Sequence, residues 1–148
     1  MEEGRDPQSL TPAQIMSASK TLNSPGFAGV YEDHLSLQEV LLVVDCKAEI
    51  GMIEAFGRRR AVVAALTAEQ VVVVGRVSIG LWPRRPPRLR VWKVDLRAIV
   101  ALRVTPRGDL NIVYREFGRT LTLNLLLRDW AKTDRWMLAI ESAFWRPR

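Results

Sequence analysis

The sequence predicts a mainly β domain, in which seven antiparallel strands form a small barrel or sandwich that is capped by a C-terminal α-helix. Short runs of β-branched residues, separated by turn residues, begin near residue 39 and continue to residue 126. After Asp129 the spacing of apolar residues changes to that of an amphipathic helix. With 148 residues, of which 48% are hydrophobic, the chain is long enough to bury one core.

Seven segments have the composition of strands. Residues 60–67 and 71–77 are rich in alanine and valine, and the three residues between them suit a hairpin turn. Turn residues at 106–109 and 116–119 separate the last three segments. The predicted strands cover residues 40–50, 60–67, 71–77, 89–94, 98–105, 109–115 and 119–126.

The fourth strand follows a segment, residues 81–88, that contains three prolines. Proline donates no ladder hydrogen bond, so this segment is predicted to be an exposed loop. The strand itself sets apolar residues among basic ones: Leu89, Val91 and Trp92 among Arg88, Arg90 and Lys93. We expect a half-buried strand with one solvated basic side.

The C-terminal segment predicts a helix of about four turns. Asp129 is a suitable N-cap, and the helix is expected to end before Pro147. Its helical stripe consists of Trp130, Thr133, Trp136, Met137, Ile140, Ala143 and Phe144. We expect this helix to cap the barrel through Trp136, Met137, Ile140 and Phe144. The other tryptophans predicted to pack in the core or at the barrel end are Trp92, Trp130 and Trp145.

The N-terminal segment predicts an extension of the domain. Thr11 as an N-cap and Pro12 at the first helical position predict a short helix that runs toward Leu22. Helix-breaking residues follow at 23–26. We therefore predict an N-terminal arm with a short helix over residues 1–33 and the main domain over residues 34–148. The arm is either an interaction segment or disordered in isolation.

Three segments form an ordered set of motifs. Residues 58–67 have a leading basic cluster and a terminal Leu-Thr pair; residues 89–104 are a basic strand, an Asp-Leu step and another strand; residues 134–143 are helical and include Trp136. In this order they resemble the second strand, the fourth and fifth strands and the capping helix of the pleckstrin-homology (PH) domains, including bacterial and myosin-tail relatives. The resemblance covers about residues 37–146 and implies a PH-like fold.

The resemblance also implies a non-catalytic binding module for phosphoinositide headgroups or for protein partners. Family members that hold phosphoinositides use a lysine at the end of the first strand and a basic pair at the start of the second. Lys47 matches the lysine, and Arg58 with Arg60 matches the pair. These residues would flank the loop from Glu49 to Gly57. Glu49 and Glu54 lie in this loop and would repel an anionic headgroup, so lipid and protein ligands both stay open.

Charge is unevenly distributed along the chain. Residues 1–57 hold three basic and nine acidic side chains, whereas residues 58–107 hold twelve basic and two acidic. Such a block attracts anionic partners, although codon usage also produces arginine-rich sequences. The candidate surface for anionic lipid consists of Trp82, Arg84, Arg85, Arg88 and Arg90. The alternative is that Trp82 covers the barrel edge and the arginines form a solvated rim.

No group of residues predicts a catalytic site, a metal site or a cofactor. His34 is the single histidine and is interpreted as a solvated side chain or a cap, and Cys46 as an inert buried thiol. No apolar run is long enough to span a bilayer, so we expect a cytoplasmic protein. Because the sequence predicts no catalytic site, the protein is predicted not to be an enzyme.

The sequence leaves two functions open. The first is a PH-like adaptor that docks to protein partners through a basic face, with anionic phospholipid as a second ligand and a location at the membrane periphery. The second is a scaffold subunit of a larger complex that binds no lipid. Nucleic acid is the least favoured partner, because the sequence has no recognition helix and no zinc-ligand spacing.

Overall fold

The computed structural model describes residues 9–50, 61–77 and 88–144. Its two α-helices are α1 (Pro12–Ala18) and α2 (Trp130–Phe144). Its strands are β1 (Val40–Ile50), β2 (Ala61–Thr67), β3 (Gln70–Val77), β4 (Arg88–Asp95), β5 (Ile99–Val104), β6 (Leu110–Glu116) and β7 (Arg119–Leu126). All seven predicted strands are confirmed, each within one residue at either end. Three short turns of helix, Pro25–Phe27, Tyr31–Leu35 and Leu96–Ala98, were not predicted.

The seven strands form one antiparallel sheet in the order β4-β3-β2-β1-β7-β6-β5. β1 is shared by the two halves of this sheet, because its residues 40–47 pair with β2 and its residues 47–50 pair with β7. β4 and β5 are the two edges, yet only Leu96–Ala98 separates them in the chain. Four residue steps span at most about 14 Å, so the sheet must curl until its edges meet at that end. This is the predicted PH-like sandwich.

The concave side of the sheet and α2 enclose the main core. Alternate residues of β2 and β3, such as Val62 and Val73, point into it and are fully buried. From α2, Trp136 and Ile140 are buried against them, and Met137 is half-buried. These three predicted capping residues all contact the main core, while the side chain of Phe144 lies outside the described part of the structure.

The predicted packing of Trp130 is wrong, because 56% of this residue is exposed. The buried positions of the helix are Thr133, Trp136, Ala139, Ile140 and Ala143. Trp130 precedes them in the first turn, which lies over the backbone of the turn between β5 and β6 instead of over the core. Of the other two predicted tryptophans, Trp92 is partly buried against the core, and Trp145 lies outside the described residues.

A second apolar core covers the convex side of β2 and β3. The other set of alternate residues, Val63, Ala65, Val72 and Val74, is also buried there. Ile15, Leu22 and Phe27 pack on them from the N-terminal segment, together with Val30 and Leu35. The continuous apolar runs of β2 and β3 thus reflect burial on both faces. The division between residues 1–33 and 34–148 stays a prediction, and residues from both sides of it share this core.

Polar contacts fix the N-terminal segment to β1. The Thr11 hydroxyl caps α1 by accepting from Gln14 N, as predicted, but the helix ends at Ala18 and does not reach Leu22. At its end the backbone of the buried Ser19 is extended, and the Ser19 hydroxyl donates to the Asp45 carboxylate at 2.5 Å. The same carboxylate accepts hydrogen bonds from the backbone N–H groups of Lys20 (2.8 Å) and Thr21 (3.2 Å).

The start of α2 is fixed to the turn between β5 and β6. Asp129 accepts from Lys132 N at 3.1 Å, which confirms it as the N-cap. Gly108 O accepts from the buried Thr133 hydroxyl at 2.6 Å. The buried Asp109 carboxylate accepts from Arg128 N at 2.8 Å and lies 3.2 Å from Arg128 Nε. These bonds set the position from which α2 crosses the sheet.

Cys46 lies on β1 and packs partly buried against the main core. Burial, with a smaller contribution from the neighbouring Asp45, raises the pKa of its thiol to about 12. The folded protein therefore favours the neutral thiol, which is a poor nucleophile. This agrees with the interpretation of Cys46 as an inert structural residue.

Replacement of Phe27 by alanine tests whether the N-terminal segment is part of the folded unit. Phe27 is 4% exposed and Leu37 is 96% exposed. We expect Phe27→Ala to lower the free energy of unfolding by about 3 kcal/mol in urea denaturation, because it leaves a cavity in the second core. Leu37→Ala is the control and should stay within about 0.5 kcal/mol of the wild type. Equal effects of the two substitutions would show that the segment does not contribute a core.

Gly108 and Gly118 provide a matched pair for the contact between α2 and the β5–β6 turn. Both have positive φ, +81° and +74°, but a Cβ on Gly108 would lie 3.2 Å from Asp129 N, while one on Gly118 meets nothing within 4 Å. Gly118→Ala should cost about 1 kcal/mol of unfolding free energy from backbone strain alone. Gly108→Ala should cost at least about 1 kcal/mol more, measured by urea denaturation. Equal losses would mean that the close approach is not important.

Alkylation of Cys46 by iodoacetamide tests its raised pKa. At about pH 8 we expect the folded protein to react at least roughly a hundredfold more slowly than the chain unfolded in urea, since little Cys46 thiolate is present in the folded protein. Between about pH 8 and pH 10 the rate for the folded protein should continue to rise, while that of the unfolded chain levels off. A plateau near about pH 9 in the folded protein would contradict the raised pKa.

Candidate functional site

Two of the predicted anion-binding residues have described side chains, Lys47 and Arg90, and both are exposed. Lys47 follows Cys46 and precedes the buried Ala48, which both belong to the main core, so by strand alternation Lys47 lies on the convex side of the sheet. Arg90 lies two residues before Trp92 and shares its concave side. The structure thus places these two cations on opposite faces of the sheet.

The other predicted anion-binding residues are not placed by the structure. Arg58 and Arg60 precede β2 and lie outside the described residues, as do Trp82, Arg84 and Arg85 in the proline-rich segment. The side chain of Arg88, the first residue of β4, also lies outside the described part. A pocket between the β1–β2 and β3–β4 connections therefore stays a prediction.

Arg90 stacks on Trp92. Its guanidinium carbon lies 5.4 Å from the centre of the indole ring, within the range of a cation–π contact. The contact holds the Arg90 side chain beside Trp92, near the start of β4, while the side chain remains exposed. A stacked guanidinium keeps its in-plane N–H donors available to a carboxylate or a phosphate.

The expectation of one solvated basic side on β4 is wrong. Arg90 and Trp92 lie on the concave side, whereas Val91 packs in the second core and Lys93, paired with Val72, lies on the convex side. The reason is the spacing of the basic residues: Arg90 and Lys93 are three positions apart, and an odd spacing in a strand places side chains on opposite faces.

Basic side chains instead follow the two edges of the sheet. The segment from β4 to the β5–β6 turn, residues 88–107, contains six basic residues and one acidic residue. The five with described side chains are all exposed: Arg90, Lys93, Arg97, Arg103 and Arg107. We call this set the basic edge. Of these cations, Arg97 lies at the corner where β4 and β5 meet, while Arg90 lies toward the other end of β4 and Arg107 lies beyond the far end of β5.

The structure also contains a groove beside β1, the central strand of the sheet. This groove, of about 380 Å³, runs between α1, β1 and α2. Its lining residues are Ser17, Ala18, Lys20, Leu42, Val43, Val44, Asp45, Lys132, Arg135 and Trp136. No motif in the sequence predicted it. The i, i+3 spacing of Lys132 and Arg135 is a signal that would have placed both cations on one side of α2.

His34 is half-buried in the helical turn Tyr31–Leu35, and its Nδ1 has no hydrogen-bond partner among the described residues. The prediction was a solvated side chain or a cap, and this nitrogen is buried instead of solvated. In the described part of the chain, histidine, cysteine and acidic side chains form no group of three that could hold a metal ion. None of the described helices is both long enough and apolar enough to cross a membrane.

Comparisons with known proteins support no family assignment by sequence. No family model matches the chain, and no curated protein matches it. Solved structures include the N-terminal PH domain of human ARAP2, with 11% identity and a TM-score of 0.43 over 69% of this chain and 78% of that one. The DH/PH domains of PDZ-RhoGEF, solved in complex with activated RhoA, match with 12% identity and a TM-score of 0.49 over 86% of this chain and 35% of that one.

The PH-like character of this chain is given by its own architecture. Three strands on one side of β1 and three on the other, joined through its last residues, form a curled antiparallel sheet. A C-terminal helix packs a buried tryptophan, Trp136, into the opening. The chain has a PH-like fold.

Proposed function

We propose that this protein is a non-catalytic docking module that binds an acidic surface of a protein partner through its basic edge. PH-like modules typically mediate protein or lipid binding. We also propose that the protein is cytoplasmic. The experiment below distinguishes a protein ligand from a membrane ligand.

The observation that carries the proposal is the exposure of five cationic side chains, four of them along the two edge strands and the turn that joins them and the fifth, Arg107, in the β5–β6 turn. Asp95 is the one acidic residue in this segment, and its carboxylate accepts a hydrogen bond from Arg97 N at 2.8 Å. The positive charge is therefore not neutralised within the segment. An excess of this kind raises the rate of association with anionic partners and favours acidic over basic ones.

The alternative role of these cations is protective. Lysine and arginine on edge strands prevent a sheet from pairing with the edge of another molecule. That role requires only that the side chains be charged and solvated, and it predicts no saturable binding to a polyanion. Binding to an acidic polypeptide therefore separates the two interpretations.

The test uses poly-L-glutamate as an acidic polypeptide and vesicles of phosphatidylcholine with and without phosphatidylserine. We expect the full chain to bind poly-L-glutamate at low salt and to lose most of this binding as salt shortens the range of the electrostatic attraction. Lys93→Glu with Arg97→Glu should weaken it about tenfold. The measurement is a binding titration at two salt concentrations, together with vesicle flotation.

Arg115→Glu with Arg119→Glu is the matched control, because both residues are exposed on the β6–β7 hairpin, outside residues 88–107, and the change in net charge is equal. The control should retain binding within about twofold. Equal loss in both variants would reduce the effect to net charge and overturn the assignment to the basic edge. Binding to phosphatidylserine vesicles alone would assign the edge to a membrane, and binding to neither probe would leave the protective role.

A further inference from the structure

The groove between α1, β1 and α2 contains an open stretch of strand edge. β2 occupies one edge of β1 along residues 40–47, but β7 occupies the other edge only along residues 47–50. On this second edge, the one backbone bond that the described residues make upstream of Lys47 is at Val40, whose carbonyl accepts from Leu10 N at 2.7 Å. Residues 42–45 of β1 line the groove, and alternate N–H and C=O groups along them face away from β2, toward this second edge.

The groove is rimmed by cations. Lys20 lies on the side of α1, and Lys132 and Arg135 lie on the side of α2. None of these three exposed side chains forms an ion pair within the described part of the chain. The acidic residue of the lining, Asp45, already accepts hydrogen bonds from Ser19, Lys20 N and Thr21 N. The groove thus keeps a net positive charge.

The walls between the cations are largely apolar. Leu42 and Val44 lie on the concave side of β1, and Trp136 closes the groove from α2. Its volume of about 380 Å³ lies at the lower end of the range for small-molecule sites. A free strand edge, apolar walls and a cationic rim together match an extended chain with acidic side chains, since backbone pairing supplies affinity and side-chain charge supplies selectivity.

We propose that the groove between α1, β1 and α2 binds an extended acidic peptide segment, which adds to the free edge of β1 as a further strand. This site lies apart from the basic edge, because it uses β1 and α2 and none of the residues from 88 to 107. A small anion alone would use the cations but not the strand edge, and an apolar peptide would use the edge but not the cations.

The probe is a short synthetic peptide of alternating glutamate and valine, acetylated and amidated at its ends. We expect it to bind the full chain in a calorimetric titration and to slow hydrogen exchange at amides within residues 41–46, because the added strand pairs with them. The same peptide with N-methyl groups on alternate backbone nitrogens keeps its charge but loses half of its donors. It should bind at least about tenfold more weakly and give no such protection.

Charge reversal on α2 tests the rim. Lys132→Glu with Arg135→Glu should weaken binding of the glutamate–valine peptide about tenfold, and a lysine–valine peptide should then bind this variant better than the wild type. Both substituted side chains are exposed, so the fold should be retained, as circular dichroism will show. The matched control, Arg115→Glu with Arg119→Glu, and the basic-edge variant, Lys93→Glu with Arg97→Glu, should both bind within about twofold of the wild type.

Three results would overturn this proposal. The first is absence of binding to the glutamate–valine peptide. The second is binding without slower exchange in residues 41–46, which would mean that the peptide contacts the cations without joining the sheet. The third is equal weakening by the α2, hairpin and basic-edge variants, which would reduce the effect to net charge. The proposed function of the basic edge would be unaffected by either of the first two.

Discussion

The structure depends on the way in which β1 is divided between two sets of neighbours. Lys47 pairs with Ala61 of β2 and with Leu126 of β7, so it marks the point at which the two halves of the sheet are joined. Downstream of this residue β1 pairs with β7, and upstream it pairs with β2 and no longer with β7, so the two halves separate there. A curled sheet of this kind leaves an opening that side chains from another element must fill. Here α2 fills it with Trp136 and Ile140.

The separation of the two halves has consequences on both sides of β1. On the concave side it exposes a strand edge next to α2, which gives the groove its backbone donors and acceptors. On the convex side Asp45 accepts three hydrogen bonds from residues 19–21 and fixes the N-terminal segment to the strand. One short stretch of β1 therefore lies next to the capping helix, binds the N-terminal segment and lines the proposed peptide groove.

The N-terminal segment solves a problem that the sheet creates. β2 and β3 present buried valines and alanines on both faces, so the convex face would expose an apolar surface if nothing covered it. Ile15, Leu22 and Phe27 cover it, while Glu32 and Asp33 of the same segment are exposed to solvent.

The sequence by itself determined where the strands and α2 begin and end, because apolar period, turn residues and the Asp129 cap act over a few neighbouring residues. Three features could not be predicted in this way: the burial of Phe27 in the second core, the packing of the two faces of β4 on different cores, and the free edge of β1. A period of two shows that a strand has two faces, but which element covers each face depends on residues far away in the chain. For the same reason the basic residues of 88–107 were recognisable as a charged block, whereas Lys20, Lys132 and Arg135 became one groove only when the tertiary structure brought α1 and α2 to either side of β1.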